Sequence, residues 1–235
     1  MNMEISMERA MRKFPLVGNR MMLAGALIYL LGLVTFFWSS SRGIETAAIG
    51  TSATDLIATF KGNETAITVM AGWFSLVLIG RILIIIGLKN ALASSGKSHP
   101  IMEFAVIMMA ISVAFEILTY TFFATASVLG AAHPEGMVAL GWTSGVLNSI
   151  VFGTIGVSVF CSAWAMFRSE LFPKTLPVLG MVAGIPLALS ALFFAPSLKD
   201  IGGGLAMGGV FFLIWMLWTG ILLWKKAPKQ EPILT

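Results

Sequence analysis

An arginine stands inside the apolar run FSLVLIGRILIIIGL (74–88) and a glutamate inside ISVAFEILTYTFF (111–123). A charge at the centre of a bilayer costs ~2.5–3.5 kcal/mol on insertion scales, so such a residue has a partner or a task. Around Glu116, the residues Ser112, Thr119 and Tyr120 recur at steps of three and four, which places them on one face of a helix. Asn148 falls near the middle of a later apolar run and there needs a hydrogen-bond partner. Arg81, Glu116, Tyr120, Asn148 and Ser112 therefore form a candidate intramembrane ligand-binding cluster. Three chemistries are open to it. Arg81 and Glu116 pair as a buried staple; or Arg81 snorkels to the boundary beside a protonated Glu116; or Glu116 works as an acid or base whose proton affinity Arg81 sets. Glu103 lies thirteen residues before Glu116, roughly 140° round the helix, and near a boundary, so it reads as a surface residue.

Depth decides whether the two charges meet. Arg81 is eight residues from Lys89, about 12 Å from one membrane boundary, and Glu116 is twelve residues from Phe104, about 18 Å from the same boundary. An offset of about 6 Å between antiparallel neighbours is within reach of a guanidinium.

The elements that must carry these residues are apolar helices. Hydrophobic residues make up 57% of the 235 and charged ones 11%, with mean hydropathy +0.91. Soluble domains carry about 25% charged residues, so the composition excludes that class. Six stretches approach the ~20 apolar residues a spanning helix needs, near 21–39, 67–88, 104–129, 137–166, 176–195 and 202–224. The expected fold is all-α, a polytopic six-transmembrane-helix bundle. Residues 1–18 place Met3, Met7, Met11 and Phe14 at helical spacing opposite charged residues, as in a short amphipathic helix on the membrane surface. No connection is long enough to separate domains, so 1–235 reads as one membrane domain. The longest loop, 42–66, contains TDLIATF (54–60), which suits a short helix capped by Thr54. Pro186 is expected to kink the fifth span.

The net charge of +4 follows topology rather than nucleic-acid binding. With the N-terminus inside, Arg9, Arg12, Lys13, Arg20, Lys89, Lys97, Arg168, Lys174, Lys225, Lys226 and Lys229 fall on the inner side, against Arg42, Lys61 and Lys199 outside. Eleven against three satisfies the positive-inside rule with both termini cytoplasmic, in the inner (plasma) membrane. Cys161 is the single cysteine. His99 and His133 fall on opposite sides of the membrane, so no haem or histidine metal site is expected, and no cofactor. P-loop, dinucleotide and nucleophile-elbow motifs are missing.

Small residues four apart let helix backbones approach in lipid. Gly141, Gly145, Ser149 and Gly153 share one face, Gly180 pairs with Gly184 and Gly204 with Gly208. These faces predict close packing of the last three spans, or docking of a membrane-protein partner or a second copy. The motifs NRMMLAGALIYLLG (19–32), AFEI (114–117) and MFRSELFPKTLPVLGMVAG (166–184) give a layout that resembles a bacterial domain-of-unknown-function family of small polytopic membrane proteins. That resemblance implies an inner-membrane helical bundle and assigns no catalytic residue. Three functions stay open: a non-catalytic accessory or interaction subunit of a membrane assembly; a binder or transporter of a lipophilic small molecule at the Arg/Glu cluster; and a membrane-embedded acid/base enzyme acting on an isoprenoid-like lipid. A cavity reaching Glu116 favours the last two, and a filled bundle the first.

Overall fold

The computed structural model describes residues 2–42, 44, 50–97, 99–193 and 195–226, with the side chains of 2–19, 36, 40, 196 and 199 outside the description. Among the described residues, regular structure is helical throughout: α1 (Asn2–Ser41), α2 (Ala53–Phe60), α3 (Glu64–Val77), α4 (Ile79–Ser94), α5 (Ile101–Leu129), α6 (Pro134–Ser169), α7 (Thr175–Ser190), α8 (Lys199–Ala206) and α9 (Gly208–Lys226). The surface-lying role expected of 1–18 falls outside the described side chains; the backbone there is continuous with the rest of α1.

Five helical runs are long and apolar enough to cross a membrane by length and composition: Arg20–Ser39, Glu64–Ser94, Ile101–Ala132, Pro134–Ser169 and Asp200–Lys226. The apolar helices fit an integral membrane protein. The expected fifth span, 176–195, is shorter than composition suggested. α7 passes through Pro186 and stops at Ser190, sixteen residues in all, or about 24 Å against a hydrocarbon core of ~30 Å. Leu192, Phe193 and Ala195 continue the apolar run beyond the helix end, so hydropathy alone could not locate the stop.

Two of the long runs are broken by a single residue. At Leu78, the amide of Arg81 donates to Leu78 O at 3.0 Å, a three-residue step in place of the α-helical four, and separates α3 from α4. At Met207 the same step recurs, Val210 N donating to Met207 O at 3.0 Å. The second break sits in a segment with Gly202, Gly203, Gly204, Gly208 and Gly209, where helix propensity is low. Neither break has a proline. The short helix in the long loop is present, but Ser52, not Thr54, caps it: Asp55 N donates to Ser52 Oγ at 3.1 Å and Ser52 Oγ donates to Asp55 Oδ2 at 2.7 Å.

Glycine sets the closest helix contacts. A Cβ at Gly184 would lie 2.7 Å from Phe160 N, and one at Gly153 would lie 2.5 Å from Ala191 Cβ, so α6 and α7 touch nearly backbone to backbone. Gly208 closes on Ala183 O in the same way, whereas Gly204 has open space beside it. A second close pair was not anticipated. A Cβ at Gly25 would lie 2.5 Å from Gly80 O, one at Gly80 would lie 2.9 Å from Tyr29 N, and Gly87 abuts Met22 N. This brings α1 hard against α4.

Buried side chains form two clusters. The larger gathers residues such as Met22, Ile84, Met109, Val159, Leu176 and Trp215. The smaller gathers Leu56, Phe60, Phe74, Leu78, Val113, Tyr120 and Phe123. Arg81 lies along the chain between Leu78 of one and Ile84 of the other, and Glu116 between Val113 and Met109 on one side and Tyr120 on the other. Tyr29 and Ile82 pack against both clusters.

Candidate functional site

The break at Leu78 is followed at once by Gly80 and Arg81. Gly80 admits the α1 backbone, and this close approach sets Tyr29 beside the guanidinium. The Arg81 guanidinium carbon stands 5.4 Å from the Tyr29 ring centroid. On the other side Arg81 Nη2 donates to Glu116 Oε2 of α5, forming a buried ion pair. Arg81 is 1% exposed and Glu116 8%. Arg81 Nε has no hydrogen-bond partner among the described residues.

A surface ion pair marks the register of α4 against α5. Lys89 Nζ and Glu103 Oε1 lie 2.6 Å apart near the α4–α5 connection. From there Arg81 is eight residues up α4 and Glu116 thirteen residues up α5, roughly 12 Å and roughly 20 Å. The extended arginine side chain closes the difference. Glu103 is thus a surface residue with a partner.

Tyr120, one turn beyond Glu116, stacks on Phe74 with ring centroids 4.5 Å apart and planes 3° from parallel. The chain has only two tyrosines, and both flank the ion pair. Of the other expected members, Ser112 is buried one turn before Glu116 but turns to α6, donating to Val151 O at 3.4 Å. Asn148 is half-buried on α6, and no hydrogen bond among the described residues joins it to Arg81 or Glu116. The structure thus brings together Arg81, Glu116 and Tyr120 and turns Ser112 to α6, while no hydrogen bond among the described residues joins Asn148 to the pair.

Tyr29 and Phe74 were not anticipated. A signal for Tyr29 was present: Gly25, Tyr29 and Gly32 recur at four and three residues, so the tyrosine shares the face on which the glycines pack. Phe74 had none, since an aromatic in an apolar run is indistinguishable from ordinary packing.

Two cavities are described. One of about 170 Å³ lies among Ala91, Ser94, Ser95, Leu171, Phe172, Leu223 and Lys226. The other, about 660 Å³ and open to the surface, lies between the end of α1 and the start of α3. Neither is lined by Arg81, Glu116, Tyr29 or Tyr120. At the pair itself the carboxylate neutralises the guanidinium and the Tyr29 ring lies over it. Comparison with protein-family models, curated proteins and solved structures finds no match.

Proposed function

We propose that the chain is a non-catalytic accessory or interaction subunit of a membrane assembly, a six-span protein of the inner (plasma) membrane with both termini cytoplasmic. The observation that carries this reading is the closure of the Arg81–Glu116 pair. The intramembrane charges are engaged with each other and with Tyr29, and neither described cavity reaches them. Transport at that cluster, or acid/base work on an isoprenoid-like lipid, needs space for a substrate beside Glu116. What remains to act on other molecules is the outer surface of the bundle.

The six-span count rests on connectivity. Lys226 Nζ at the end of α9 donates to Leu171 O at 2.8 Å, in the turn between α6 and α7. The end of α4 borders the same 170 Å³ cavity through Ser94 and Ser95. Three helix ends thus share one end of the bundle. The run Asp200–Lys226 is 27 residues long and ends where α7 begins, which supports reading α7 as a crossing despite its sixteen residues. Lys225 and Lys226 then fall on the basic, inward side, as the positive-inside rule requires.

A docking face for a helix of another subunit, or of a second copy, is offered by α8, where Gly203 and Gly204 have open space around them and Met207 is exposed. The test is affinity purification of the tagged chain in a mild detergent. A stoichiometric membrane-protein partner or a defined homo-oligomer is expected, and Gly204→Leu should release it while leaving the thermal melt of the chain unchanged. A monomer without partner, carrying a bound isoprenoid-like molecule that Glu116→Gln abolishes, would overturn the reading in favour of a ligand site.

A further inference from the structure

The larger cavity has an origin in the fold. α1 is clamped to α4 by Gly25, Gly80 and Gly87, and near the Leu78 break it still meets α3, Gly32 facing Val77 and Phe74. Past Gly32 the two helices part, leaving the 660 Å³ groove lined by Thr35, Trp38, Gly62, Val69, Met70 and Trp73 among others. On the α3 side it runs from Gly62 to Trp73, eleven residues, or about 16 Å. That is half of a ~30 Å hydrocarbon core, the depth of one leaflet. Trp38, on the α1 side of the mouth, is an amphipathic ring of the kind that favours the interface. At the mouth, the Arg42 guanidinium carbon stands 4.7 Å from the Trp38 ring centroid. Arg42 is exposed and has no carboxylate partner among the described residues. Lys61, next to Gly62, is a second exposed cation on the rim. The nearby Glu64 is engaged, Gly62 N donating to Glu64 Oε1 at 3.1 Å.

We propose that this groove holds one glycerophospholipid of the bilayer, an acyl chain lying between α1 and α3 and its phosphate on Arg42. A guanidinium matches phosphate oxygens with two parallel donors, and stacking on Trp38 holds it at the mouth. The apolar lining suits a hydrocarbon chain, and the exposed Val69 on the lining leaves the groove open at the bundle surface. The proposal rests on the membrane-embedded reading above, so the experiment begins by separating the two.

Carbonate-washed membranes should retain the chain; if they do not, the membrane reading falls and the lipid site with it. Protein extracted from those membranes is then incubated with phosphatidylglycerol, phosphatidylcholine or diacylglycerol of identical chains and examined by native mass spectrometry. One molecule of either phospholipid is expected to remain bound, with diacylglycerol retained about tenfold less. Arg42→Gln should lower both phospholipids to the diacylglycerol level, and Val69→Trp, from an exposed position that fills the groove, should abolish all binding. Equal retention of the three lipids, or phospholipid binding unchanged in either variant, would overturn the lipid site while leaving the membrane reading intact.

Discussion

Arg81 is a long cation with almost no access to solvent, and its stability depends on two neighbours of different kinds. Glu116 supplies the opposite charge and Tyr29 the negative face of a ring. Removing one partner of a buried pair strands the other charge, which costs about 3–5 kcal/mol, whereas replacing both by apolar residues restores much of the loss. Glu116→Gln should therefore destabilise strongly, and the double change Arg81→Leu with Glu116→Leu should recover most of that loss. Melts of Arg81→Leu, Glu116→Leu and the double variant, in one detergent, give the coupling; strictly additive losses would mean that the pair contributes nothing as a pair. The ring contact is tested separately. Tyr29→Phe keeps the face and should change stability little, while Tyr29→Leu should lose about 0.5–2 kcal/mol. At this scale the sequence was informative about charge and silent about what surrounds it. A lone Arg or Glu in an apolar run is conspicuous because hydrocarbon penalises it. A covering ring is one apolar residue among many, and whether Asn148 turns toward the pair depends on helix rotation, which spacing within α6 does not define.

Helix contacts in this chain are decided where glycines let backbones meet. Gly156 abuts Ala188 N and lies against Gly184 O, whereas Gly204 faces open space. Gly156→Leu should accordingly abolish folding or lower the melting temperature severely, and Gly204→Leu should leave the monomer's melt intact; comparable losses in both would remove the packing argument. The apolar stretches were legible because length and hydropathy are local properties. The breaks at Leu78 and Met207 were not, since no proline marks them and the three-residue turns are selected by what packs alongside. The end of α7 was hidden for a related reason. Ser190 folds its hydroxyl back to donate to Leu187 O at 2.7 Å, while apolar residues run on past it. The packing of α1 on the α3–α4 run was readable in principle: Gly25 and Gly32, and Gly80 and Gly87, each recur at seven residues, a helical repeat that places both members of each pair on one face.

At the scale of the whole molecule, the proposed topology can be tested by labelling. Single cysteines at Thr59 in α2 and at Lys97 after α4 should react with a membrane-impermeant thiol reagent from opposite sides, Thr59 in intact cells and Lys97 only after permeabilisation. Buried Cys161 should stay silent in both. Labelling of both sites from the same side would invalidate the arrangement. The overall class was visible from composition alone, because a chain with 11% charged residues cannot cover itself against water.

The division of the interior into two clusters sets how the molecule comes apart. The smaller cluster includes α2, α3 and the later part of α5, and its link to the larger one passes through Arg81–Glu116, Tyr29 and Ile82. Such a seam makes the two halves separate cooperative units, with opening free energies that need not be equal. In hydrogen exchange, amides of α3 should exchange as one group ahead of those in α4 and α6, even though α3 and α4 are neighbours in the chain. Severing the seam by Glu116→Gln should widen the interval between the groups. The charged residues that first mark this chain would then serve as a rivet, setting whether the bundle yields in one event or in two.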